Sequence, residues 1–161
     1  MQVRPAEDDD WGQIWSFLGV VLAAGETYTS PRDITSDQAR AEWLAPPPSR
    51  TFVAVDGERV VGLAKLRPNL PGAGDHVANA GFVVDPACAG RGVGRRLAEE
   101  ILARARSMGY AAMQFNAVVE TNVHAVALWQ ALGFRIVGTV PGAFRHPRHG
   151  RVGLHVMHRE L

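Results

Sequence analysis

Apolar positions along the chain recur with two periods. Val93, Leu97, Ile101, Leu102, Ala105 and Met108 follow the spacing of one helix face, so Val93–Met108 reads as a long amphipathic helix. A second helix spans about Asp9 to Ala24, with aspartates at its start, where the helix dipole favours negative charge. Ser36 is placed to cap a short helix running through Leu44. Val123–Leu132 reads as a further helix, stopped by Gly133. Strand-like runs fill the spaces between. Gln2–Pro5 is the first; Thr51–Val55 and Val60–Leu66 flank Asp56-Gly57, a strong hairpin signal. His76–Val84 and Ala111–Val119 read as the fourth and fifth strands. Phe134–Thr139 and Gly153–His158 read as a final pair joined by the basic loop PGAFRHPRHGR.

The order of these elements is mixed. Antiparallel hairpins come first, and a strand–helix–strand–helix run follows, which implies a right-handed crossover between parallel strands. Pro46-Pro47-Pro48 and Asn69 to Gly74 (NLPGAG) are loops, and neither is long enough to link two domains. The 161 residues therefore read as one domain over residues 1–161. A chain this long can bury one core and still line a pocket.

Charge and cysteine usage narrow the classes. A net charge of +1 gives no overall attraction to nucleic acid or membrane, and neither is expected as a partner. Cys88 is the single cysteine, which suits a reducing cytoplasm. The opening MQVRPAEDDD is acidic and lacks the apolar core of a signal peptide. A cytoplasmic location is the expectation.

One stretch breaks the rules of helix starts. DPACAGRGVGRRLAEE places Gly90, Gly92 and Gly94 at alternate positions before the long helix, whose first turn carries Arg95 and Arg96. Positive charge there opposes the helix dipole, and only Glu99 and Glu100 in the second turn offset it. A bound anion explains the arrangement: free N–H groups, the dipole and the arginines all point at it, and glycine lets it approach the backbone. A glycine-rich turn with solvated arginines is the plainer alternative. The P-loop pattern fails for lack of Gly-Lys-Ser/Thr. The dinucleotide pattern fails because Arg95 stands where it needs glycine and no acid follows about twenty positions on.

VVDPACAGRGVGRRL resembles the pyrophosphate loop of the GCN5-related N-acetyltransferases, whose pattern Arg/Gln-x-x-Gly-x-Gly/Ala falls on Ala89 to Gly94. TNVHAVALWQALGFRIVG resembles the second motif of that family, with Asn122, Ala125, Leu128 and Gly133-Phe134. The stretches NAGFVVD, QFNAVVETN and GETY are similar to those of the members that act on proline analogues such as azetidine-2-carboxylic acid, and of their bacterial relatives. The resemblance implies an α/β fold of the α+β mixed-sheet kind, with about seven strands, about four helices and splayed parallel fourth and fifth strands. It implies an acetyl-CoA-dependent N-acetyltransferase acting by direct attack in a ternary complex. The acceptor would be the amine of a small molecule, such as an amino acid or proline analogue, and a homodimer is left open.

The same resemblance assigns residues. The pyrophosphate would sit on the backbone from Gly90 through Arg91, Gly92, Val93 and Gly94 to Arg95, and the pantetheine would run beside Phe82, Val83 and Val84. A backbone N–H there would stabilise the oxyanion formed as an amine attacks the thioester. Asn79 and Asn116 stand mid-strand, where Asn is depleted. They are either satisfied structural amides or groups facing the substrate, and the resemblance favours the second. As the catalytic pair, Asn79 would hold the substrate and orient a water and Asn116 would help bind its carboxylate, with Tyr28 in the wall of the site. Asn122 reads as a helix N-cap, and the family adds a contact to CoA or an ordered water. Trp129 stands where the family usually places a tyrosine acid. Indole is no proton source, so Trp129 is expected to pack against the CoA tail or the core. Ala89 replaces the usual Arg/Gln.

Other residues rank lower. His76 and His124 read as surface histidines. Glu26 lies in the loop that walls the family's substrate site. His146 and His149, with Arg145, Arg148 and Arg151, form a basic loop that reads as a solvated hairpin, with an anionic substrate group as the alternative, and without carboxylate or cysteine partners a metal site is not expected. Two rival readings stay open: acetylation of proteins or peptides, and a CoA-binding module without turnover.

Overall fold

The computed structural model describes all 161 residues. Its strands are β1 (Gln2–Pro5), β2 (Arg50–Asp56), β3 (Arg59–Pro68), β4 (Val77–Val84), β5 (Ala112–Val119), β6 (Arg135–His146) and β7 (Gly150–Glu160). They form one sheet in the order β1-β2-β3-β4-β5-β7-β6. Every neighbouring pair is antiparallel except β4 and β5, which run parallel. The helices are α1 (Trp11–Ala24), α2 (Ser36–Trp43), α3 (Val93–Ser107) and α4 (Val123–Ala131). The seven-stranded mixed sheet with four helices is the fold the motifs implied.

Helices cover both faces of the sheet, so two apolar layers form. On one face Ile14, Leu18 and Leu22 of α1 and Trp43 of α2 pack on Val53 and Leu63. On the other, the stripe of α3 (Val93, Leu97, Ile101, Leu102, Ala105) meets Met113 and Phe115 of β5 and Trp129 of α4. Gly62 of β3 sets the depth of this packing. A Cβ there would lie 3.3 Å from Leu97 and 3.4 Å from Val93, tighter than ordinary side-chain contact. Leu97 is fully buried, and truncating such a leucine to alanine costs about 2–5 kcal/mol.

Two local expectations change. Thr35, not Ser36, caps α2: its side chain accepts from the Gln38 amide at 3.3 Å, and Gln38 reaches back to the Thr35 amide at 3.0 Å. That reciprocal capping box fixes the helix start one residue earlier. The segment PGAFRHPRHGR is mostly strand, since β6 continues to His146 and β7 begins at Gly150. Pro141 and Gly142 mark a register shift between Val140 and Phe144, and so imitate a loop in the sequence. Beyond it, Phe144, Val152 and Val119 form a small buried cluster that holds the far end of the hairpin.

Candidate active site

β4 and β5 pair only at Val77–Ala112 and Ala78–Met113 before they part. Asn79 sits where they separate. Its Nδ2 donates to the Gln114 carbonyl at 2.9 Å, replacing the ladder bond that the parting removes. β5 then bulges at Asn116 and Ala117, where its register with β7 shifts. Aromatic rings fill the base of the gap. Trp129 lies 5.0 Å from Phe82 and 4.8 Å from Phe115, centroid to centroid, and Phe115 stacks on Phe134 at 4.4 Å. Trp129 thus belongs to the core under the opening, packed against both parting strands.

The gap opens into a cavity of about 480 Å³ lined by Tyr28, Asn79, Phe82, Val83, Val84, Asn116, Asn122 and Trp129, among others. Strand pairing decides which β4 amides face it. Asp85 donates to Val61 of β3, and bonded pairs alternate along an antiparallel ladder. The Val83 amide therefore points to β3, while those of Ala80, Phe82 and Val84 point into the gap. Phe82 is already engaged. Its N–H donates to the Tyr28 hydroxyl at 2.9 Å, and that hydroxyl donates to the Phe82 carbonyl at 2.8 Å. Burial pushes the Tyr28 pKa well above the ordinary tyrosine value, so the hydroxyl stays protonated.

The glycine loop lies at the carboxyl end of β4, where α/β sheets bind ligands. Gly90 and Gly92 adopt φ of 76° and 78°, a region that favours glycine, and nothing lies within 4 Å of a Cβ built on either. Gly92 is the N-cap of α3 and has no side chain to cap with. The amides of Gly92, Val93, Gly94 and Arg95 accordingly have no partner within the protein. Gly94 is helical and faces Val84 and Leu128 at ordinary contact distances. Arg91 turns aside to Asp56 at 3.3 Å, and Arg95 pairs with Glu99 at 3.7 Å on the exposed side of α3. Asn122 caps α4, its Oδ1 accepting from the Ala125 amide at 3.3 Å.

The profile of the Acetyltransferase (GNAT) family matches residues 19–134. N-acetyltransferase aca1 of Schizosaccharomyces pombe is 33% identical over 148 residues, covering 83% of this chain and 71% of that protein. The chain belongs to the GNAT acetyltransferase family. As a GNAT N-acetyltransferase it superposes on a GCN5-related N-acetyltransferase from Kribbella flavida with a TM-score of 0.95, at 55% identity, over 99% of this chain and 97% of that one. The fold also matches yncA of Salmonella typhimurium, solved with its cofactor acetyl-CoA, with a TM-score of 0.87 at 22% identity, over 100% and 94% of the two chains.

For a GNAT enzyme, the charged lining of this cavity is the part that motif reading overlooked. Lys65, Arg67 and Glu42 all face it. Lys65 donates to the Glu42 carbonyl at 3.0 Å, lies 3.9 Å from the Glu42 carboxylate and sits 5.3 Å over the Trp43 ring. Burial lowers its pKa; the Glu42 charge opposes that and Arg67 adds to it. Alternation in β3 (KLR) puts the two cations, two residues apart, on one face, without telling whether that face meets a cavity or solvent. Asn116 is engaged on both sides: its Nδ2 donates to Asn69 at 2.7 Å, and its Oδ1 accepts from Gln114 at 2.9 Å. His76 and His124 are exposed. The basic hairpin reaches the loop after α1 through Arg148 and Glu26, 2.8 Å apart, two residues from Tyr28. No helix is long and apolar enough to cross a membrane.

Proposed function

We propose that this GNAT enzyme transfers an acetyl group from acetyl-CoA to the amine of a small molecule, an amino acid or proline analogue. One observation carries the reading: four unpartnered amides at the start of α3 open beside the gap between β4 and β5. A helix start with free N–H groups binds a phosphate-type anion, and Gly90 and Gly92 leave the space for it. The loop residues Gly90 to Arg95 would hold the pyrophosphate, with Asn122 and the face of Trp129 alongside. Acetyl-CoA supplies an activated acetyl group whose thiol, of pKa about 8.5, needs no acid to depart. That accommodates Trp129 where the family usually has a tyrosine.

The chain's own residues do the rest. The backbone of Phe82 to Val84 lies along the route of the pantetheine. The Val84 amide points into the gap and is suited to stabilise developing oxyanion charge. Asn79 keeps its Oδ1 free of protein partners while Nδ2 is tied to Gln114, so the oxygen can accept from the acceptor amine and orient it. Asn116 borders the same cavity and would contribute to holding the acceptor's carboxylate. Tyr28 closes the wall opposite. The amine's proton leaves through water in the open cavity, in line with the polar groups that face it.

The test incubates the protein with acetyl-CoA and a panel of amino acids, proline analogues and polyamines, and follows free thiol. Turnover of an amino acid or analogue is expected. No turnover with any of them overturns the small-molecule reading.

A further inference from the structure

The charges around the cavity do not balance. Lys65 is compensated by Glu42. Arg67 is not: no ion pair of the chain includes it, and its one hydrogen bond runs from Nη1 to the carbonyl of its neighbour Pro68, at 3.3 Å. Arg67 is half-buried and lines the cavity. A guanidinium in that setting, with most of its five donors unused, is an incomplete anion site.

Its position is specific. Arg67 of β3 stands directly opposite Asn79 of β4 in the ladder, and Lys65 opposite Gly81. The 67–79 pair is one of the hydrogen-bonded pairs of that ladder, so the two Cβ atoms lie about 5.5 Å apart on one face. That face is the one covered by Tyr28 and Trp43, as the contacts of a Cβ built on Gly81 define. A group held by Arg67 therefore lies next to a group held by Asn79. An α-amino acid carries its amine and its carboxylate at such close range.

We propose that Arg67 is the counter-ion of a carboxylate on the acceptor, making the enzyme selective for amines that carry an acid group next to the nitrogen. This rests on the acetyltransferase reading with Asn79 at the acceptor amine. It adds that the ionic contact comes from β3, from the one cavity-lining cation that no carboxylate of the chain pairs with, Lys65 being taken up by Glu42. Asn116, already engaged by Asn69 and Gln114, offers a neutral contact only.

The experiment compares matched pairs, amino acids against their carboxamides, with the wild type, Arg67→Gln and Arg67→Lys. The wild type is expected to favour the acids by about tenfold or more in kcat/KM, the worth of one charge-assisted contact. Arg67→Gln is expected to remove that preference through the KM for the acid, with the KM for acetyl-CoA unchanged. Arg67→Lys is expected to keep part of it. Equal use of acids and amides by the wild type, or a full preference in Arg67→Gln, overturns the proposal. A second arm titrates the CoA-saturated protein with N-acetyl amino acids and their amides by calorimetry. Acid-selective binding that Arg67→Gln abolishes, in a protein that turns over no amine, upholds the anion site while overturning the acetylation reading. Absence of acid-selective binding in such a protein overturns both.

Discussion

The Tyr28 hydroxyl bridges the two main-chain groups of Phe82, accepting from its N–H at 2.9 Å and donating to its carbonyl at 2.8 Å. One side chain from the loop after α1 thus does for β4 what a neighbouring strand would otherwise do. It satisfies both groups at the point where β5 has moved away, and it keeps the opening from collapsing into a continued ladder. Tyr28 is held in turn by Trp43, edge-on with centroids 5.5 Å apart.

Removing that hydroxyl leaves a strand residue with two groups unsatisfied. Tyr28→Phe is expected to cost about 1–3 kcal/mol. In a chain of this size each kcal/mol moves the midpoint by about 2–4 °C, so thermal unfolding should show a fall of several degrees. An unchanged midpoint contradicts the bridge. The raised pKa of Tyr28 adds a second reading. Its hydroxyl remains a neutral donor up to and beyond the ordinary tyrosine pKa of about 10. No alkaline limb near that pH should therefore vanish from the activity profile in Tyr28→Phe.

Asn79 carries the acceptor side. Asn79→Ala removes the oxygen that faces the cavity and the donor to Gln114 together. Turnover is expected to fall by about tenfold or more, the worth of a hydrogen bond to a charged or developing-charge group. Acetyl-CoA binding, measured by calorimetry, should stay the same. Undiminished turnover removes Asn79 from the site.

The alternate glycines of the anion loop are not equivalent, and two substitutions separate them. Gly92→Ala forces a Cβ into a conformation that costs an L-residue about 1–2 kcal/mol, and it places a methyl group in the open space over the helix start. The KM for acetyl-CoA should rise several-fold, with kcat at saturation nearly unchanged. Gly94→Ala adds a Cβ at 3.5 Å from Val84 and 3.7 Å from Leu128 in a helical conformation. It should change neither parameter by as much as twofold. Steady-state kinetics on the pair checks this, and equal effects contradict the division.

The anion loop was legible in the sequence because its anomaly is local. Arg95 and Arg96 occupy a helix start where acids belong, and Gly90 and Gly92 announce their own backbone angles. Strands, helices and their order were legible from periodicity for the same reason. Arg67 was not, because nothing in KLR tells a cavity-facing strand position from a solvated one; that depends on the parting of β4 and β5 two strands away. Tyr28 stood out as part of GETY, yet its bond to Phe82 joins residues 54 positions apart. The long β6–β7 hairpin was hidden because a bulge at Pro141 and Gly142 breaks the alternation on which strand reading depends.

Acid sensitivity should trace to a site far from the cavity. Arg4 of β1 grips Asp10 at the entry to α1 with two bonds, 2.7 and 2.8 Å, and the Glu7 amide donates to the same carboxylate at 2.7 Å. The hydrogen bonds from Arg4 hold the Asp10 carboxyl below its ordinary pKa, against the opposing effect of burial. A carboxylate with a depressed folded pKa stabilises the fold above its unfolded value of about 3.9, and that stability is lost as pH falls through the folded pKa. Asp10→Asn should therefore be less stable than wild type at neutral pH by about 1–3 kcal/mol. The difference should shrink steadily below about pH 4, as the wild type loses the charge that the variant never had. Urea unfolding at a series of pH values measures both curves. A gap that stays constant from neutral to acid pH shows that the Arg4–Asp10 pair is not what couples α1 to β1.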